Sequence, residues 1–274
     1  MGTDLSTKVV LLKKILAGLG STGVAYSGGV DSTLLLAVCL DVLGAERVLA
    51  LTVHSQLTPA VEREQAARVA QRLGARQRVV TFDALDEPDI AANRPDRCYH
   101  CKRAMFSHLL EIARAEGLAA LVHGATCDDL DDYRPGLRAA EELGVRAPLL
   151  EAGFTKEDVR ALSRQMNLPT WDLPSMACLA SRIPYNTPLT QEALARIDSA
   201  ESFLRERFAL RQVRVRDHFP LTRIEVPEAE IARLAQPDIR AAITHRLQEL
   251  GYRYVTLDLQ GFRSGSMNPL NNEQ

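Results

Sequence analysis

Nothing in the 274-residue sequence approaches the roughly 20 consecutive apolar residues that cross a bilayer. The N-terminus sets Asp4 and Lys8 among its apolar positions and lacks the apolar stretch and small-residue cleavage site of a secretory leader. A cytoplasmic chain is the expectation. Cysteines are few: five, an odd number in a chain too large to need disulfide staples, so clustered thiols read as metal ligands or nucleophiles. Neither sign of charge dominates. Lys and Arg total 33 against 35 Asp and Glu, a net charge of −2, which excludes a generic nucleic-acid coat but not a local basic patch. Internal repeats and low-complexity tracts are also missing. The 46% of hydrophobic and 25% of charged residues suit a soluble globular chain with core enough for one large domain or two ordinary ones.

What is present is alternation. Val24-Ala25-Tyr26 predicts a strand, Asp31 to Leu43 a helix stopped by Gly44, Arg47 to Val53 a strand, and Thr58 to Leu73 a helix stopped by Gly74. Arg78 to Phe82 follows as a strand, Arg97 to Glu116 as a long helix, Ala119 to His123 as a strand, and Thr155 to Met166 as a helix opened by a Thr155–Asp158 capping box. Strict alternation predicts an α/β fold: a doubly wound parallel sheet whose ligands sit at the carboxyl ends of its strands. Beyond Pro184 the pattern changes to a helix (Thr190 to Phe208), two strands (Gln212 to Arg216 and Leu221 to Val226) forming an antiparallel hairpin, a helical stretch (Glu228 to Leu250) broken near Pro237, and a strand (Tyr252 to Asp258). The boundary falls in the loop carrying Pro174, Pro184 and Pro188, giving a nucleotide domain over 1–180 and a smaller α+β domain over 181–274 for substrate binding or oligomerisation. The tail after Ser264 reads as poorly ordered.

The sharpest local signal is Ser27-Gly28-Gly29-Val30-Asp31-Ser32, between a strand and a helix. Glycines let backbone approach an anion, the helix N-terminus behind them offers free N–H groups, and Ser27, Ser32 and Thr33 add hydroxyls. Asp31 can hold Mg²⁺. The spacing is not that of a Walker A loop, and no lysine is placed for a γ-phosphate. The string matches the PP-loop of ATP pyrophosphatases, S-G-G-x-D-S, at every fixed position. His54 and Ser55, ending the second strand, are candidates for the adenosine, and Gly124 for the nucleotide site.

Cys98-Tyr99-His100-Cys101 opens the long helix, and Cys178 lies in the proline-rich loop. Cys39 reads as a core thiol and Cys127 as either bystander or ligand. Structural zinc wants four ligands, for which His100 or His108 would have to serve. Three thiolates with one open position suit a 4Fe-4S cluster. No metal at all remains a third reading, and thioredoxin-like redox chemistry is disfavoured by the setting.

Longer strings carry a family resemblance. Asp128-Asp129-Leu130-Asp131-Asp132-Tyr133-Arg134-Pro135-Gly136, Ser181-Arg182-Ile183-Pro184-Tyr185, Val213-Arg214-Val215-Arg216, Gly251 to Asp258 and Gly261-Phe262-Arg263-Ser264-Gly265 resemble segments of the LarE family. These are ATP-dependent sulfur transferases that build the nickel-pincer nucleotide cofactor of lactate racemase. The resemblance covers nearly the whole chain. It implies adenylation of a carboxylate of pyridinium-3,5-dicarboxylate mononucleotide, followed by conversion to a thiocarboxylate. Some members sacrifice the sulfur of a single cysteine, whose position is Ala177 here, with Cys178 one residue later. The trio Cys98, Cys101 and Cys178 looks like the three-cysteine subgroup associated with a 4Fe-4S cluster. ATP, Mg²⁺ and that cluster are the implied cofactors. Cys178, Cys98, Cys101 and Lys102 form the expected catalytic set. Ser181, Arg182, Glu201, Arg214 and Arg216 are the expected substrate residues, with Asp132 as a weaker candidate. Expected partners are a mononucleotide, a sulfide donor, cofactor-assembly proteins and further copies of the chain, without nucleic acid or membrane. A transfer-RNA thiolase, an amide-forming ligase and a non-catalytic nucleotide-binding regulator or cluster carrier are the rivals.

Overall fold

The computed structural model describes residues 4–130, 135–174, 177–263 and 267. Among them the chain runs α1 (Leu5–Ala17), β1 (Thr22–Ala25), α2 (Val30–Leu43), β2 (Val48–His54), α3 (Ala60–Arg72), β3 (Arg76–Thr81), α4 (Pro88–Ala91) and α5 (Arg97–Ala115). It continues through β4 (Ala120–Val122), α6 (Pro135–Glu142), α7 (Pro148–Glu151), α8 (Lys156–Gln165), α9 (Gln191–Phe208), β5 (Arg214–His218), β6 (Leu221–Glu225), α10 (Glu228–Leu234), α11 (Pro237–Glu249) and β7 (Tyr254–Leu257). Two compact units result: Met1–Ser55, Ala60–Asp83 and Asp96–Met176 in the first, and Gln56–Pro59, Ala84–Pro95 and Ala177–Gln274 in the second.

The first unit is a four-stranded sheet in the order β3-β2-β1-β4, parallel throughout. Successive side chains of a strand point to opposite faces, and both faces are apolar here. Val48 and Ala50 of β2 join a core with Leu12 and Leu16 of α1, Leu34 to Leu36 of α2, Ala66 and Ala70 of α3, and Val159 of α8. Leu49 and Leu51 of the same strand face Phe106 and Leu109 of α5 and Ala140 of α6. Helices therefore cover both faces, as the alternating pattern predicts. β1 lies between β2 and β4, so the chain's path departs to opposite sides of the same strand. The crevice where ligands bind in such sheets is at the carboxyl ends of β1 and β4.

Helix α1 was not among the expected elements, although Leu5, Val9, Leu12 and Leu16 recur at helical spacing and all join the first core. The capping box of α8 forms as read: Asp158 N donates to Thr155 Oγ1 at 3.2 Å, and Thr155 N to Asp158 Oδ2 at 2.9 Å. Pro237 separates α10 from α11 and occupies the first turn of α11, where its missing N–H costs nothing.

The second unit contains the sheet β5-β6-β7, with β5 and β6 antiparallel as expected and β7 parallel to β6. Leu204 and Phe208 of α9 pack with Val215, Ile224, Leu247 and Tyr252. Two excursions from the N-terminal half belong to this unit, whose C-terminal part begins at Ala177. They are stitched in by polar contacts. Leu179 N donates to Leu57 O at 2.9 Å, and Asn93 Nδ2 donates to Pro184 O and Thr187 O, each at 2.9 Å.

Candidate active site

The glycine loop follows β1 at the edge where ligands bind. Gly29 is the N-cap of α2 and no side chain caps that helix, so its first-turn N–H groups are presented to an anion. The loop is held from within. Ser27 N donates to Ser32 Oγ at 3.3 Å, Ser27 Oγ lies 3.1 Å from Ser32 Oγ, and Thr33 N donates to Gly29 O at 3.0 Å. It is also held from α3, where Gln65 Nε2 donates to Gly28 O at 2.9 Å. Gly28 has φ +79°, and a Cβ there would lie 2.7 Å from Ala66 Cα, so this residue must be glycine for two separate reasons. Gly124, just past β4, approaches the loop from the other side. A Cβ on it would sit 3.0 Å from Ser32 N and 3.3 Å from Asp31 Cβ. The two flanks of the crevice thus meet at Gly124 and the first turn of α2.

His54 closes β2 and is half-buried. Burial first, then the Arg63 charge, hold its pKa below the usual histidine range. Its Nε2 is buried and has no hydrogen-bond partner among the described residues.

Cys98 and Cys101 lie three apart in the first turn of α5 and so share one face. The Arg97 guanidinium, itself buried, donates from Nη2 to Cys98 Sγ at 3.7 Å. Cys178 belongs to the second unit, where it is exposed just before the turn Leu179–Arg182. All five cysteines are thiols, and Cys39 is a core thiol whose pKa burial pushes up to about 12. Among the described residues no group of three or more His, Cys, Asp or Glu side chains is gathered to hold a metal ion.

Lys102 lies on α5 next to Cys101. Gly136 of α6 passes so close that an added Cβ would be 2.8 Å from Lys102 Cγ. The ammonium stands 5.4 Å from the centre of the Phe106 ring. The same ring also meets His123, at 5.4 Å between ring centroids. Sequence reasoning missed His123. The available signal was a histidine immediately before a glycine at the carboxyl end of a parallel strand.

In the second unit the expected substrate residues form a buried ionic knot. Arg182 is fully buried and binds Glu201 through two parallel bonds, Nε to Oε1 at 2.8 Å and Nη2 to Oε2 at 2.9 Å. Arg205 adds a bond to Oε2 at 2.6 Å and the Val215 amide one to Oε1 at 3.0 Å. Burial alone would raise the Glu201 pKa, but Arg182, Arg205 and Arg214 outweigh it and hold the carboxyl down to about 2. Arg216 donates to Ser181 O at 2.9 Å and to Glu225 Oε2 at 2.6 Å. Arg214 is buried among these charges, donates to Val213 O at 3.0 Å and faces the Phe262 ring. Burial, and then the neighbouring guanidinium of Arg182, lower its pKa to about 10 against the pull of Glu201. Positive charge exceeds negative around Arg214, an arrangement that suits an anion.

The family model of NAD synthase matches residues 5–94, the stretch that carries the glycine loop. A pyridinium-3,5-bisthiocarboxylic acid mononucleotide synthase of Lactiplantibacillus plantarum is 43% identical over 264 residues, covering 96% of this chain and 95% of the relative. The chain belongs to the LarE family. An uncharacterized protein of Synechocystis sp. is 40% identical over 264 residues, covering 96% of this chain and 98% of the relative. An argininosuccinate synthase of Haloarcula marismortui is 30% identical over 164 residues, 56% of this chain and 38% of the relative.

For a LarE protein, two parts of the sequence reading lie outside the described residues: Asp132, with the rest of the segment 131–134, and the ending at Ser264-Gly265. Of the remaining LarE-like strings, Ser181 to Tyr185 and Val213 to Arg216 carry the Arg182, Arg214 and Arg216 groups above, and Gly251 to Asp258 contains β7. In the string that opens at Asp128, Asp129 caps its own turn by accepting from Thr126 N at 2.9 Å.

Proposed function

We propose that this LarE family member uses ATP to activate a carboxylate of pyridinium-3,5-dicarboxylate mononucleotide and converts it to a thiocarboxylate, releasing pyrophosphate and AMP. The observation that carries the reading is the complete Ser27–Ser32 loop ahead of an uncapped helix N-terminus, with Gly124 closing the opposite flank. Full-length similarity to a bisthiocarboxylic acid mononucleotide synthase supports the acceptor.

In the scheme, a carboxylate oxygen of the substrate forms a bond to the α-phosphorus of ATP and the bond from that phosphorus to the bridging oxygen breaks. Pyrophosphate leaves into the N–H groups of the glycine loop, its charge met by the α2 dipole. Asp31 would hold a Mg²⁺ ion, which would neutralise part of that charge. The acyl adenylate is a mixed anhydride, far more electrophilic than the carboxylate. A sulfur nucleophile attacks its carbonyl carbon and AMP departs, leaving a thiocarboxylate. Lys102 offers charge to the oxygens that carry it through these steps. His54 and Ser55 are assigned to the adenosine. Arg214 and Arg216 are assigned to the substrate's phosphate, with Ser181, Arg182 and Glu201 as the frame that aims them.

The finer reading gives Cys98, Cys101 and Cys178 a 4Fe-4S cluster, supported by the donor chemistry of three thiols, two of them on one helical face. As described, the three do not form a metal set, and no step above is routed through a cluster. A cytoplasmic enzyme that assembles with copies of itself and receives sulfide from a donor completes the proposal.

The test is anaerobic. Pyrophosphate release and thiocarboxylate formation are followed with ATP and the mononucleotide, and iron and sulfide are quantified in the wild type and in Cys178→Ala. The wild type is expected to release one pyrophosphate per activated carboxylate, and the variant to lose thiolation and bound iron. No pyrophosphate release would end the adenylation reading. Full turnover and iron content in the variant would end the three-cysteine reading alone.

A further inference from the structure

His123 stands at the carboxyl edge of the sheet, immediately after β4. Its amide donates to Arg146 O at 2.9 Å, which fixes the backbone there. The next residue, Gly124, packs against the Asp31–Ser32 backbone, so His123 directly precedes the residue that touches the loop assigned to pyrophosphate. Side chains alternate along a strand. Val122 faces the first core, and Leu121 and His123 face α5.

There the ring meets Phe106, and Lys102 stands over that same phenyl ring from one turn earlier in α5. Lys102 is restrained by the close passage of α6 at Gly136. His123 and Lys102 thus meet at one aromatic ring near the ligand edge. Burial foremost, then the Lys102 ammonium, push the imidazole down to about 4 against the opposing pull of Asp129. A ring that is neutral at working pH keeps an N–H donor without adding a second cation beside the lysine. The half-buried imidazole makes ring contact with Phe106 and takes no hydrogen bond from the described residues.

We propose that His123 is a further residue of the adenylating site, donating a hydrogen bond to an oxygen at the acyl–phosphate junction of the bound acyl adenylate while Lys102 supplies the charge. This rests on the adenylation reading above. The imidazole keeps its proton throughout, and the bonds made and broken are those already described. The oxygen is either a charged non-bridging oxygen of the α-phosphoryl group or the acyl carbonyl oxygen, which is a carboxylate oxygen until the adenylate forms.

Calorimetry with AMP, with the dicarboxylate mononucleotide and with pyrophosphate, on wild type, His123→Ala and His123→Asn, tests this. Loss of one hydrogen bond to a charged group should weaken binding about tenfold. That loss is expected for AMP if the contact is to the phosphoryl group, and for the mononucleotide if it is to the carboxylate. Pyrophosphate binding and the thermal midpoint should stay as in wild type. His123→Asn, which keeps a donor, should recover most of the affinity. Unchanged binding of both AMP and mononucleotide in His123→Ala overturns the proposal. So does an equal loss for all three ligands accompanied by a lower thermal midpoint, which marks a structural role. If the wild type fails to adenylate the mononucleotide yet His123→Ala loses AMP affinity, the acceptor assignment falls and His123 stands.

Discussion

At the scale of single residues, the site is made as much by missing atoms as by present ones. Gly124 has no side chain to act with, yet its hydrogen lets the strand end approach within contact of Ser32 N. In Gly124→Ala the new methyl must push the first turn of α2 away by a few tenths of an ångström. The N–H groups aimed at the departing pyrophosphate would move with it. A misplacement of that kind costs rate more than stability, so kcat/KM for pyrophosphate release should fall about tenfold or more. The thermal midpoint should move little, and steady-state kinetics beside a melting curve would separate the two. The glycine loop was legible in the sequence because its chemistry is local and contiguous. Gly124 entered the sequence reading only as a nucleotide-site candidate, since a contact between residues 31 and 124 leaves no pattern in either stretch.

At the scale of elements, the periodic signals held. The two-residue period of the strands and the glycine stops of the helices gave β1 to β4 and their helices to within a few residues. The misses were the short helices α4, α6 and α7 and, more tellingly, α1, whose four apolar positions carried a clear helical period. Helix α8 shows what a cap contributes. Thr155 and Asp158 satisfy each other's backbone groups, and Lys8 of α1 closes on Asp158 at 2.6 Å, tying the two helices together. Thr155→Ala should cost about 1 kcal/mol of unfolding free energy, measured by urea titration. Pyrophosphate release by the folded enzyme should be untouched, because α8 is not assigned to the site.

At the scale of the whole molecule, charge is distributed unevenly despite a net value of −2. The second unit buries Arg182, Arg214, Arg216, Glu201 and Glu225. Glu201 is bonded to two guanidiniums and a backbone amide, and Arg214 adds its charge nearby. Its folded pKa is depressed to about 2 from 4.5, so its stabilisation is complete above pH 4.5 and is lost as pH falls through 2. Glu201→Gln leaves the guanidiniums without their carboxylate and should cost about 3–5 kcal/mol at pH 7. Denaturant unfolding of wild type and variant at pH 7 and at pH 3 checks both statements. The gap between the two proteins should be full at pH 7 and narrower at pH 3. An equal gap at both values would show that Glu201 is not held as described.

The sequence by itself determined the four strands of the first sheet and most of the long helices, the parallel α/β class and the phosphate loop. Each of these is written in short-range periodicity or in adjacent residues, where hydrogen bonding and side-chain direction are set locally. It also showed that Arg214 and Arg216 share a strand face. Only the tertiary structure decided that both are buried, that Glu201 binds Arg182 and Arg205 in the same knot, and that residues 56–59 and 84–95 belong with the second unit. It alone brought His123 and Lys102 to the same Phe106 ring. Burial and long-range electrostatics depend on which distant segments exclude water together, and no local pattern encodes that.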